Sequence, residues 1–194
     1  MVAGKDPRLP LVQEFMRQSS AVLVAIDAPA MMEQRGRYHE LVNQPALILG
    51  LFKRMGFHVP KLVMLVPLKC ETYVQTPEDR SELLRMVHET YRPLLEYFRH
   101  PTVRDRVAVV VTPVQTVGTL ILSHVVPPNE GRDGGQPSAF PRFVFRARSS
   151  GLVYSPRDCD QPLRYVLRFV LSSHYQHQRS GRNFVIAWLR EQLG

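Results

Sequence analysis

Two cysteines among 194 residues, Cys70 and Cys159, are too few for a disulfide framework. Their scarcity makes a reducing, cytoplasmic setting the default expectation. No apolar run approaches the roughly 18 residues that a membrane-crossing helix needs. The opening MVAGKDPRLP lacks the apolar core of a signal peptide. No membrane partner is expected. Catalytic signatures are also scarce: there is no H-E-x-x-H pair, no G-x-S-x-G elbow, no zinc finger and no RNA-recognition signature. His174 and His177 lie three apart with no third ligand in register, so no metal is predicted. From Arg142 onward the chain is short of acid. Arg142, Arg146, Arg148, Arg157, Arg164, Arg168, Arg179, Arg182 and Arg190 face only Asp158, Asp160 and Glu191, within a net charge of +8. That imbalance suits nucleic acid, an anionic membrane surface or an acidic partner, and is more simply a solvated arginine-rich face.

The chain does contain three strand-length apolar runs. They are residues 19–27 (SSAVLVAID), 61–71 (KLVMLVPLKCE) and 106–116 (RVAVVVTPVQT). Runs so continuously apolar predict strands buried on both faces, as in a parallel sheet covered by helices. Between them lie helical patterns. A helix is expected from Gln44 and Pro45 to Met55, ending at Gly56. Another is expected over 77–98, capped by Thr76 and bent at Pro93. A short amphipathic helix is read at 9–17. The alternation of strand and helix implies right-handed crossovers and a mostly parallel α/β sheet. Beyond it, residues 119–126 and 140–147 predict an extra hairpin, with a flexible loop at 127–141 rich in turn residues. Helices at 161–173 and 183–193 close a chain read as one domain over 1–194.

In open α/β sheets, ligands gather at the carboxyl ends of the strands. The polar ends of the three runs are therefore the candidate site. Their series, hhhhD, then hhhhPLKCE, then hhhVTPVQT with helices between, resembles the second half of a P-loop GTPase domain. In particular it resembles the bacterial TRAFAC-class GTPase-like proteins. Leu68, Lys69, Cys70 and Glu71 fall on the four positions of that family's [NT]-K-x-D base-recognition motif. Thr112, Pro113, Val114, Gln115 and Thr116 fall on the later loop that also touches the base. The resemblance implies an incomplete GTPase-like fold with a weak GTP or GDP site at these seven positions, from Lys69 and Glu71 to Thr116. Leu68 departs from the motif, because leucine cannot bridge loops as asparagine or threonine does. No G-x-x-x-x-G-K-[ST] loop occurs either, so no backbone cradle for the β- and γ-phosphates is expected.

The chemistry of the motif can be stated from its groups. A carboxylate accepts two parallel hydrogen bonds from guanine's ring imide and exocyclic amine, which adenine cannot offer. Glu71 can do this from one methylene further than aspartate. The lysine stem can lie along the base plane. Asp27 and Cys70 flank the site. Asp27 is read as structural; Cys70 beside Lys69 is a candidate for a lowered thiol pKa, with no histidine placed to make a catalytic dyad. A half-domain of this kind exposes the edge and one flank of 19–27, so a protein partner or a homodimer completing the sheet is expected. The function expected from all this is a P-loop-less, GTPase-like partner-binding or regulatory module. The alternative is an α/β scaffold that binds an acidic partner or nucleic acid through Arg142, Arg146 and Arg148.

Overall fold

A computed structural model of the chain describes residues 7–128, 138–148 and 153–178, with side chains in the last helix described to Ser173. The helix expected at 183–193, the side chains of histidines 174 and 177 and most of the loop at 127–141 lie outside what the structure describes.

Three parallel strands, β1 (Ala21–Asp27), β2 (Lys61–Leu68) and β3 (Val107–Val111), form a sheet in the order β1-β2-β3. The register runs from Ala21↔Leu62 to Asp27↔Leu68 on one side of β2 and from Lys61↔Val107 to Leu65↔Val111 on the other. Strand β2 is buried from Lys61 to Pro67, as its unbroken apolar run predicts. Strand β1 differs from expectation. It alternates between buried and exposed, with Val24 and Ile26 inside and Leu23 48% exposed. The reason is position: β1 is an edge strand, and the helices cover only one of its faces.

On that face Val24, Ile26, Val63 and Leu65 pack against three helices. These are α4 (Pro45–Met55), α5 (Pro77–Thr90) and α6 (Arg92–Arg99). Phe52, Leu83, Val87, Leu94 and Phe98 supply their contacts, and all are buried. Each such side chain contributes about 1.5–3 kcal/mol. The opposite face is covered at its centre by α7 (Gln161–Gln178), whose Phe169 meets Leu62, Met64, Val66, Ala108 and Val110.

Local chemistry explains the helix ends. Thr76 caps α5 through a reciprocal pair, Asp79 N to Thr76 Oγ1 and Thr76 N to Asp79 Oδ2, both 3.1 Å. The 77–98 pattern breaks at Tyr91, two residues before the expected bend. Pro93 has no N–H to bond Glu89 O, so the helix ends there and restarts with Pro93 in its first turn. The helix α1 (Leu9–Gln18) ends on a buried lysine. Lys61 is 1% exposed, and its Nζ donates to Arg17 O (2.7 Å) and Ser19 O (2.6 Å). A cation at a helix C-terminus satisfies carbonyls that have no intrahelical partner. Burial pushes this ammonium's pKa down.

Two short helices follow β1: α2 (Ala28–Met32) and α3 (His39–Val42). The extra hairpin is present as β4 (Leu120–Val126) and β5 (Arg142–Ala147), antiparallel with an irregularity between Leu122 and His124. Phe143 meets Tyr38 edge-on at 6.5 Å, which fixes the hairpin to the body.

Candidate functional site at the carboxyl ends of the strands

The carboxyl ends of β1 and β2 place Asp27 and Lys69 side by side. Lys69 Nζ lies 2.6 Å from Asp27 Oδ2. To reach this position Lys69 takes a left-handed backbone, φ +56°, a conformation that non-glycine residues adopt at a cost. Asp27 also accepts from Ala30 N at 3.0 Å, capping α2. That explains how Ala28-Pro29-Ala30 ends the strand: proline fits the first turn of a helix, and the aspartate bonds the amide left over.

Asn43 closes the same corner. Its Oδ1 accepts from Asp27 N (2.8 Å) and its Nδ2 donates to Asp27 O (3.1 Å). A side-chain amide thus takes the place a neighbouring strand would occupy at the last residue of β1. The orientation of the amide is set by Asp27 N, so the second Nδ2 hydrogen points to His39 Nδ1 at 2.8 Å. His39 Nδ1 must then accept, which makes His39 the Nε2–H tautomer. His39 is 4% exposed, its Nε2 has no partner, and burial pushes its pKa down. Its ring stands edge-on to Tyr91 at 5.5 Å.

Across the rim, Tyr73 donates to Glu33 at 2.6 Å. Burial and then this bond push the Tyr73 phenol up. Next to Glu33, Gln34, Arg35 and Gly36 are three consecutive left-handed residues, with φ of +47°, +58° and +74°. L-residues rarely take this conformation in succession.

Glu71 faces the other way. It is 6% exposed, and its Oε1 accepts from both Val117 N and Gly118 N, the latter at 2.8 Å. Oε2 is buried without a hydrogen-bond partner. Burial pushes the carboxyl pKa up, opposed by the hydrogen bonds from backbone amides. Cys70 is fully buried, and burial followed by the Glu71 charge pushes its thiol up to about 12. The expectation of a lowered Cys70 pKa is therefore overturned: burial and the Glu71 charge outweigh the lowering by a backbone hydrogen bond and by Arg80, while the Lys69 ammonium is committed to Asp27.

The loops PLKCE and TPVQT are neighbours on one rim, joined by a Leu68↔Val114 bridge and by Lys69 N donating to Thr116 Oγ1 at 3.1 Å. The seven sequence-derived positions are placed as follows. Thr112, Pro113 and Val114 are buried, with Thr112 N on Leu65 O (3.0 Å) and Val114 N on Pro67 O (2.8 Å). Gln115 exchanges main-chain bonds with Arg157, both 3.0 Å. Thr116 O accepts from Tyr154 Oη at 2.6 Å. The Lys69 and Glu71 side chains diverge, one to Asp27 and the other to the 117–118 turn. Gly118 completes that turn at φ +67°, where a Cβ would meet Ser155 N at 2.9 Å.

Asn43, Glu33 and Tyr73 were not singled out by the sequence. Each lies in a short irregular stretch, and only chain folding brings it to the rim. No group of three or more metal-ligating side chains occurs among the described residues. Comparisons with protein-family models, with curated proteins and with solved structures each find no match to this chain.

Proposed function

We propose that this chain is a P-loop-less, GTPase-like module that works by binding a partner rather than by turning over a nucleotide. One observation carries the reading: the polar groups offered to a base at this rim are already engaged inside the chain. Lys69 is paired with Asp27, and Glu71 Oε1 holds two backbone amides. A guanine nucleotide entering here must break the Lys69–Asp27 pair or draw on the remaining Glu71 Oε2, so any residual GTP or GDP site is weak. Titration calorimetry with GDP, GTP and ATP tests the base site. Greater heat from GDP and GTP than from ATP supports a residual site, and equal or absent heats remove it. The module reading itself is overturned by GTP turnover from this chain alone that Lys69→Ala abolishes.

The second reading also has an observation in its favour. Arg142 and Arg146 share one face of β5 by strand alternation, opposite Val126 and Ile121, and both are exposed, as is Arg148. Neither β4 nor β5 contains an acidic residue. This basic ribbon suits an acidic partner or nucleic acid. Such binding falls steeply with salt and is lost when Arg142, Arg146 and Arg148 are replaced; salt-insensitive binding contradicts it.

A further inference from the structure

The free edge of β1 has a definite hydrogen-bonding pattern. Leu62 N donates to Ser20 O at 2.9 Å, and the pair Ala21↔Leu62 sets the ladder. In a parallel pair, alternate residues turn their N–H and C=O toward the neighbour. Residues 20, 22, 24 and 26 therefore face β2, and 21, 23, 25 and 27 face outward. Asn43 confirms the phase, because it reaches Asp27 N and O from the outer side. It also closes the edge there. Three residues remain, Ala21, Leu23 and Ala25, whose main-chain groups make no hydrogen bond given by the structure among the described residues. Their side chains point to the α7 face, where Leu23 is 48% exposed and Ala25 is exposed.

An unpaired edge with an apolar residue at its middle and none of the usual protection by lysine, proline or a bulge is a template for strand addition. We infer that its occupant is a second copy of this chain, paired antiparallel through β1 about a two-fold axis at Leu23. This rests on the partner-binding reading and names the partner. The edge is complementary to itself: a two-fold at Leu23 sets Leu23 opposite Leu23, and Ala21 opposite Ala25. All three outward residues then exchange N–H···O bonds with their counterparts. The leucines meet across the axis, and the alanines at the flanks let the strands approach. Asn43 prevents a longer pairing by occupying Asp27, which fixes the register. The product is a continuous six-stranded sheet, β3-β2-β1-β1-β2-β3. At the start of the same strand, across the two-residue connection from α1, Leu11, Val12 and Phe15 are also exposed.

Sedimentation velocity of the full chain over about 1–300 µM, a range suited to a small interface, tests this. The mass is expected to double with concentration, and Leu23→Lys to hold it at the monomer value with an unchanged far-UV spectrum. A covalent test checks register independently of stability. Directly opposed hydrogen-bonded residues have Cβ atoms about 5.5 Å apart, too far for a relaxed disulfide but within reach of a one-carbon bifunctional thiol reagent. In a Cys159→Ser background, Leu23→Cys is expected to cross-link with such a reagent, whereas Ala25→Cys, about 13 Å from its counterpart, is not. A wild-type monomer throughout overturns the proposal, as does a dimer that survives Leu23→Lys or cross-links equally through position 25. These readouts are masses and cross-links, so their failure is distinct from nucleotide turnover, which would defeat the module reading.

Discussion

The carboxyl-end rim and the outer edge of β1 are both polar surfaces, yet they are finished differently. At the rim, Lys69, Asp27, Asn43 and Oε1 of Glu71 are satisfied within the chain by one another or by the nearby backbone. Along β1, Ala21, Leu23 and Ala25 keep their main-chain groups turned outward beside an exposed leucine. Buried polar groups stabilise a fold only when partnered, and an unpartnered strand edge invites a partner. The rim is thus built as a brace, and the edge as a place for something else to bind. Substitutions at the two should have opposite signatures: loss of stability at the rim, loss of association at the edge.

The largest effect is expected at Asn43. Asn43→Ala removes three hydrogen bonds from a buried corner and leaves His39 Nδ1 without its donor. A loss of about 3 kcal/mol follows, measured by urea denaturation. Gly118→Ala comes next. It forces a Cβ to 2.9 Å from Ser155 N at φ +67°, and about 2 kcal/mol is expected. Lys69→Met leaves Asp27 without its cation. Because Lys69 is over a third exposed, solvent and salt screen the pair, and the loss is about 1 kcal/mol, shrinking as salt rises. Leu23→Lys should change monomer stability by about 0.5 kcal/mol or less, since the side chain is half in water already. A rim substitution that dissociates a dimer, or an edge substitution that unfolds the chain, breaks the comparison.

Acid and base sharpen it further. His39 has a folded-state pKa below its unfolded value, so its contribution is complete above about 6.5. It is lost as the pH falls through the folded value. Glu71 runs the other way. Its folded-state pKa is raised, so its contribution is present below the ordinary glutamate value and lost as the pH rises through the folded value. Glu71→Gln should therefore flatten the part of the stability profile above the ordinary glutamate range. His39→Gln should flatten the part below the ordinary histidine range. Denaturation midpoints from pH 4 to 8 check both; unchanged slopes in either variant contradict the assignment.

Much of the fold was legible because its signals are local. The unbroken apolar run of β2, the Thr76-Pro77 cap and Gly56 after Met55 each state an element in a few adjacent residues. The burial of β1 departs from its apolar run because an edge strand and a central strand can share composition, and only sheet order separates them. The seven positions from Lys69 to Thr116 were placed on one rim because strand ends in a parallel sheet must lie together. Their partners were not legible. That Glu71 would turn to the 117–118 amides, and Lys69 to Asp27, depends on a left-handed residue at Lys69 that no glycine announces. Asn43, the residue that closes the edge, lies in the two-residue link between α3 and α4, where no periodicity marks it.

The comparison between brace and edge is tested most directly by amide hydrogen exchange, read residue by residue in dilute and in concentrated protein. The account predicts that Val117 and Gly118 are protected at both concentrations. Ala21, Leu23 and Ala25 are predicted to exchange freely when dilute and to become protected when concentrated. Fast exchange at Val117 and Gly118, or equal protection of the three β1 amides at both concentrations, would contradict it.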